Sequence, residues 1–310
     1  MSLLDETKHL LHQYNVRPNK RLGQSFCVDD NLLRRMIAYS NSCNDDVVLE
    51  IGSGFGFLTR LLSKVVKQVI AVELDPKLFE ALRNGLKDGR NIQIISGNIL
   101  KITLPKFNKI VANPPYSISS PLIMRLFERS FDCAVLTLQK EFAEKLNAQV
   151  GTRNYGPLTI VADYKVYLNI LEQLSRDSFY PQPKIESVVV FIKTHIPKFS
   201  LRDEKLFFRL VDYLFTQRNR KVKKPLESFF LKEMRISKVE AGLIIKGLPF
   251  TEERVSDLKP EEFGALSNEI YPFLHSKIIT FENYRFYIFP EVYEPAEDTF
   301  LIAECLHGLE

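Results

Sequence analysis

The sequence predicts an α/β fold with a largely parallel sheet and a small C-terminal helical domain, on three observations. Between residues 45 and 195 short β-rich runs alternate with helical patterns, the order in which a parallel sheet covered by helices is written. Beyond Pro197, residues 203 to about 270 keep helical periodicity without a convincing strand. The 310 residues are 45% apolar and 26% charged, enough for one sizeable core plus a smaller one and too apolar for disorder.

Taken in order, the expected strands are Val47–Ile51, Gln68–Glu73, Ile92–Ser96, Lys109–Ala112, Cys133–Gln139 and 187–193, with helices between them, for example at 58–66 and 76–86. The domains read as 1–195, 196–274 and an extension at 275–310. Apolar runs reach only about five residues, as at 188–192, too few to span a bilayer. The polar opening MSLLDETKHL is no secretory signal, so a cytoplasmic address is expected. Cys27, Cys43, Cys133 and Cys305 stand at wide spacings with no CxxC pair, which argues for reduced thiols and against a disulfide framework or a metal site. The net charge of +4 conceals +9 over residues 1–274 and −5 over 275–310. A basic body suits an anionic partner such as nucleic acid, although charge alone does not single one out.

The first chemical signal follows the first expected strand. VVLEIGSGFGFLT at 47–59 reads as a buried strand, a turn at Gly52, Gly54 and Gly56, and a helix start. Glycines there let the chain turn and a ligand approach the main chain. A dinucleotide site would carry GxGxxG, whereas this loop reads GxGxG with Glu50 just ahead of it. An acidic residue at that point argues against a diphosphate and suits a ligand with a positive charge and an amino-acid end, which S-adenosylmethionine has. Glu73, at the end of the second strand, stands where an acidic residue accepts hydrogen bonds from ribose hydroxyls. Asn98, after the third strand, reads either as an adenine contact or as part of a Gly-Asn turn.

The most specific signal comes after the fourth strand, as Asn113-Pro114-Pro115-Tyr116. Consecutive prolines hold an extended backbone that presents its carbonyls outward. The lone pair of a base's exocyclic amine is delocalised into the ring and is a poor nucleophile. If the Asn113 side-chain oxygen and the Pro114 carbonyl both accept its N–H groups, the nitrogen becomes more tetrahedral and its lone pair turns toward a sulfonium methyl. Tyr116 offers a face for stacking, worth about 1–3 kcal/mol per base. Orientation alone supplies about 7–11 kcal/mol of the barrier.

With these residues in place the chain resembles the ribosomal RNA adenine dimethylase family (KsgA type) over roughly residues 15–272. KRLGQSF at 20–26 resembles the family's N-terminal motif, LQKE at 138–141 with Gly151 and NYGPL at 154–158 resembles a second, and FYPQPKIESV at 179–188 a third. The resemblance implies a Rossmann-like class I methyltransferase sheet binding S-adenosylmethionine, with Gln24 and Phe26 over the cofactor's methionine end and Phe179 as the second face of a base sandwich with Tyr116. It further implies dimethylation of the N6 amines of two adjacent adenines near the 3′ end of small-subunit ribosomal RNA in a pre-ribosomal particle; a monomer is expected. Those bases must leave their stack, which unpaired loops make cheaper. Pro114 stands where many members carry Leu or Ile, Asn98 replaces their usual acidic residue, and Ser25 and Cys27 vary the N-terminal motif. NPPY also occurs in DNA adenine and protein glutamine methyltransferases, which remain the alternative. Relatives that act only by binding would have an eroded tetrad, whereas Asn113 and Tyr116 are intact.

In the helical domain QRNRKVKK at 217–224 gathers Arg218, Arg220, Lys221, Lys223 and Lys224, an expected RNA-phosphate contact or a solvated charge run. The acidic extension, β-like over 278–289, carries FPEVYEPAEDTFL at 289–301, which resembles the opening of a HemK-type glutamine methyltransferase without that enzyme's cofactor domain. It is expected to be a fusion cut short, a readthrough or a family-specific extension, and not to catalyse anything itself.

Overall fold

The computed structural model describes residues 1–19, 23–275, 277–281 and 284–288. They form two compact units, Met1–Ala148 with Val161–Pro197, and Gln149–Ile160 with Lys198–Glu310.

The first unit runs α1 (Leu3–Gln13), β1 (Phe26–Cys27), α2 (Asp30–Tyr39), β2 (Val47–Ile51), α3 (Phe57–Leu62), β3 (Gln68–Glu73), α4 (Pro76–Gly85), β4 (Ile92–Ser96), β5 (Lys109–Ala112), α5 (Ser119–Phe127), β6 (Cys133–Gln139), α6 (Lys140–Leu146), the end of α7 (Pro157–Lys165), β7 (Val166–Leu174), β8 (Phe179–Tyr180) and β9 (Ser187–Thr194). Seven strands make one sheet in the order β4-β3-β2-β5-β6-β9-β7. Five of them are parallel, and β9 lies antiparallel between β6 and β7. β2 lies inside the sheet, between β3 and β5, because its residues bear burial on both faces: Val48 and Leu49 are fully buried and Ile51 is 1% exposed, each worth about 1.5–3 kcal/mol. From β2 the chain builds outward through β3 to β4, then crosses back to lay β5 on the other side. That reversal opens a crevice beyond the carboxyl ends of β2 and β5, where open α/β sheets bind ligands.

All six expected strands are present, and the sheet contains one that was not foreseen. β7 is an edge strand whose polar residues Asn169, Glu172 and Gln173 and whose bulge between Ile170 and Glu172 break the alternation. The helix expected at 58–66 stops at Leu62, and the chain turns through Lys64 and Val65 before β3. Caps mark other boundaries: Asp29 accepts the Leu32 N–H ahead of α2, and Asp75 accepts those of Lys77 and Leu78 ahead of α4.

The second unit contains the start of α7, α8 (Glu204–Phe215), α9 (Lys223–Glu233), α10 (Lys238–Gly247), α11 (Pro260–His275) and the antiparallel pair β10 (Lys277–Phe281) and β11 (Tyr284–Ile288). Its core is aromatic, with Phe207, Phe229, Phe230 and Phe263 fully buried. Residues 149–160, which sequence places in the first domain, group here: the Gly151 N–H donates to the Ser256 carbonyl at 3.0 Å and the buried Tyr155 hydroxyl to the Leu258 carbonyl at 2.7 Å. The HemK-like stretch 289–301 lies outside the described residues. Among the described residues, no helix is long and apolar enough to cross a membrane.

Candidate active site

Gly52, Gly54 and Gly56 carry the chain from β2 into α3 with φ of +72°, +56° and +80°, a left-handed region that side chains rarely adopt. Packing restricts all three further, most of all Gly56, where a Cβ would lie 2.6 Å from Cδ1 of Leu82. A Cβ on Gly52 would lie 3.1 Å from Cδ of Pro115, and one on Gly54 would lie 3.3 Å from the Phe26 ring. The loop is thus pressed between the tetrad and the N-terminal segment, with Phe26 in turn 5.0 Å from Phe55, centroid to centroid.

Two buried carboxylates flank the loop. Glu73 Oε2 accepts the Gly54 N–H at 2.8 Å, while Oε1 accepts those of Leu74 at 2.8 Å and Asp75 at 2.9 Å. A carboxylate has about four acceptor sites, so Glu73 braces the loop and retains room for another donor. Burial nevertheless raises its pKa. Glu50 accepts the Thr59 hydroxyl at 2.5 Å and is 2% exposed. Burial first, and the like charge of Glu73 second, push its pKa up to about 8, so the neutral form prevails at pH 7 until a cation enters beside it. Burial thus disfavours a charge on Glu50 while no cation stands beside it.

One cleft gathers Gln24, Phe26, Glu50, Gly52, Gly54, Glu73, Asn98 and Asn113. Gln24 accepts the Asn19 N–H and donates to Asp75 at 3.4 Å. Asn98 Oδ1 accepts the Leu100 N–H at 2.9 Å, leaving Nδ2 without a partner among the described residues. Arg125 of α5 fastens this turn by donating to the Leu100 and Ile102 carbonyls at 2.5 Å each. Gly56, Pro114, Tyr116 and Phe179 do not line the cleft.

The tetrad leaves β5 at the rim. Asn113 Nδ2 donates to the Ser25 carbonyl at 3.3 Å, and Asn113 Oδ1 accepts the Thr137 hydroxyl. One lone pair of that oxygen is therefore held by the protein and one remains. No donor among the described residues reaches the Pro114 carbonyl. The Tyr116 hydroxyl lies 2.6 Å from Ser187 Oγ, and burial raises its pKa. Phe179 is 2% exposed, packed in the core with β8 paired to β1 through Cys27, so in this arrangement it offers no open face beside Tyr116. Ser25, Asp75, Thr137 and Arg125 were not singled out as site residues by sequence; only Thr137, the lone polar residue between Ala134 and Leu138, carried a signal that could have been read.

In the second unit the basic run joins α8 to α9 and is largely paired. Arg218 donates to the Arg153 and Thr152 carbonyls at 2.8 and 2.9 Å. Lys221 and Lys223 share Glu252 at 2.8 and 2.5 Å and hold that exposed carboxyl down to about 2. Lys224 stands 4.0 Å from Glu227. Arg220 is exposed and has no side-chain partner among the described residues.

A family model described as ribosomal RNA adenine dimethylase matches residues 15–253. The chain belongs to the ribosomal RNA adenine dimethylase family. It is accordingly an S-adenosylmethionine-dependent rRNA adenine dimethyltransferase. The dimethylase is 39% identical, over 82% of its own length and 92% of the relative's, to a probable ribosomal RNA small subunit methyltransferase A of Thermococcus onnurineus. The corresponding protein of Pyrococcus abyssi is 37% identical over 83% and 94%. A dimethyladenosine transferase from Plasmodium falciparum superposes with a TM-score of 0.67 at 29% identity, covering 78% of this chain and 96% of the other. The 23S rRNA methyltransferase ErmE gives 0.59 at 26%, covering 79% and 99%.

The dimethylase's cleft fits S-adenosylmethionine by its donor set. Among the described residues Ser53 Oγ is buried with no partner and Asn98 Nδ2 is open, while Glu73 has spare acceptor capacity and Glu50 is an acid that a cation would ionise. A ligand with hydroxyls, a heteroaromatic base and a cationic end answers each of these.

Proposed function

We propose that this enzyme places its methyl groups on the N6 amines of two adjacent adenines near the 3′ end of small-subunit ribosomal RNA, acting as a monomer on a pre-ribosomal particle. One observation carries the reading: Asn113 Oδ1 and the Pro114 carbonyl belong to a tetrad that springs from β5 at the switch point of the sheet and touches the cofactor loop through Pro115 and Gly52. The named relatives support the small subunit as the source of the RNA.

In this reading Gln24, Phe26, Gly52, Gly54 and Glu50 hold the amino-acid and sulfonium end of S-adenosylmethionine, Glu73 its ribose and Asn98 its adenine. The bound cofactor supplies an electrophilic methyl group. Asn113 Oδ1, through its remaining lone pair, and the Pro114 carbonyl accept the target amine's hydrogens and draw its lone pair out of the ring plane. Tyr116 stacks on the base. With each transfer the methylated nitrogen sheds one proton to solvent; after the first, one hydrogen remains, so one of the two acceptors continues to hold it. Phe179 completes the sandwich only if the short β1–β8 ribbon yields, since its ring is enclosed. The first unit is the catalytic domain, and Arg220 with the neighbouring cations of the second contacts RNA phosphates.

The test supplies labelled S-adenosylmethionine with immature small subunits, naked adenine-containing DNA and a glutamine-containing peptide. Label confined to the subunits, at two doubly methylated adenines per particle, is expected. Label in DNA or peptide alone would replace this substrate with one of the alternatives.

A further inference from the structure

Thr137 and Ser187 carry buried hydroxyls beside the tetrad and do not line the cleft. Thr137 is fully buried and Ser187 is 2% exposed. Thr137 pairs with Val189 across β6 and β9, and Gln139 pairs with Ser187. Directly opposed residues share a face, as do residues two apart, so both hydroxyls stand on the same face of the ladder. From β5 the tetrad steps sideways over that face: Asn113 is met by Thr137 on the adjacent strand, and Tyr116, three residues on, by Ser187 on the next strand. Neither hydroxyl is incidental. Thr137 interrupts an apolar run and Ser187 opens another, and a buried hydroxyl without a partner is destabilising.

We infer that Thr137 and Ser187 are the positioning residues of the amine-holding tetrad, orienting the Asn113 amide and the Tyr116 ring without touching substrate. The inference rests on the reading of that tetrad given above. An Asn side chain can exchange its oxygen and nitrogen by a half turn, and only the oxygen can accept an amine N–H. The Ser25 carbonyl selects Nδ2, while the Thr137 hydroxyl donates to Oδ1 and keeps the acceptor edge at the rim. Tyr116 is a planar ring on a rotatable stem, and its hydroxyl fixes where the stacking face stands. Catalysis by orientation is sensitive to small displacements, so loss of either hydroxyl should reach the methyl-transfer step and spare cofactor binding.

The experiment measures single-turnover methyl transfer to immature small subunits, KM for the subunit, cofactor Kd and thermal midpoint. Thr137→Val keeps the shape of the side chain and is expected to lower the transfer rate about 10- to 100-fold, with KM and cofactor Kd within about twofold of the parent. Thr137→Ser should recover most of the rate. Ser187→Ala and Tyr116→Phe should each slow transfer about tenfold, and the double variant should be no slower than either, because both remove one hydrogen bond. A parental rate in Thr137→Val, or additive losses in the second pair, overturns the inference. So does a rate loss matched by weaker cofactor binding and a lower midpoint that Thr137→Ser fails to repair. A parent enzyme inactive on small subunits overturns the functional reading and this inference with it, whereas an active parent with unaffected variants overturns the inference alone.

Discussion

The cleft of the first unit and the basic run of the second both stand out in the sequence as sites, yet they are built on opposite terms. In the cleft, carboxylates are withdrawn from water and their properties change: Glu50 is pushed up to about 8 and Glu73 is raised, both mainly by burial. In the basic run the charges stay near solvent and cancel one another locally, as Lys221 and Lys223 do on Glu252, where ion pairs contribute little. Strand-end residues are gathered by the sheet whatever their charge. A run of cations becomes a binding surface only to the extent that its own neighbourhood leaves it unpaired.

The widest separation between the regions should come from Asn113→Ala. Transfer is expected to fall about 100- to 1000-fold, the usual cost of removing one preorganised hydrogen-bonding group at a reacting centre, while cofactor Kd moves no more than about threefold. Parallel losses in isotope-transfer and calorimetric assays would mean the tetrad supports the fold and nothing more.

Next is the pH behaviour of Glu50. A carboxyl whose pKa is raised on folding stabilises the protein below its unfolded pKa of about 4.5 and loses that contribution as pH rises toward 8. Between pH 5 and 7 the cofactor-free protein should lose on the order of 3 kcal/mol through this group, and Glu50→Gln should flatten the profile in denaturant titrations. An unchanged profile would show that Glu50 is hydrated.

Arg218→Ala and Arg220→Ala should then part company. The first removes two hydrogen bonds to carbonyls and is expected to destabilise by about 1–3 kcal/mol, seen as a lower midpoint. The second should leave the midpoint alone and reduce the log–log salt slope of RNA binding by about 0.7–0.9. Equal slopes for both would return Arg218 to the RNA surface. The smallest effect is expected from Glu252→Gln, which releases Lys221 and Lys223 and should tighten RNA binding a few-fold at low salt; weaker binding would assign Glu252 itself a contact.

Val47–Ile51 and the glycine loop were legible because each is written in contiguous residues: a run buried on both faces, then glycines at positions that need positive φ. The tetrad was legible for the same reason. Edge strand β7 escaped because its outer side is wet and its bulge interrupts the period of two. Phe179 was assigned an open face that its place in the core denies it, since a short aromatic-proline motif says nothing about what packs above it. The extension at 289–301 remains outside the described residues.

By itself the sequence determined the α/β order, the glycine turn after β2 and the place of Asn113 to Tyr116 at the end of β5, set by local periodicity and by residue types next to one another, and its ordered motifs carried the resemblance to the family. Only the tertiary structure decided which lone pairs and charges are already taken. Thr137 reaches Asn113 across 24 residues, Ser187 reaches Tyr116 across 71 and Arg218 reaches Arg153 across 65. Hydrogen bonds and desolvation depend on distance in space, and distance along the chain does not report it.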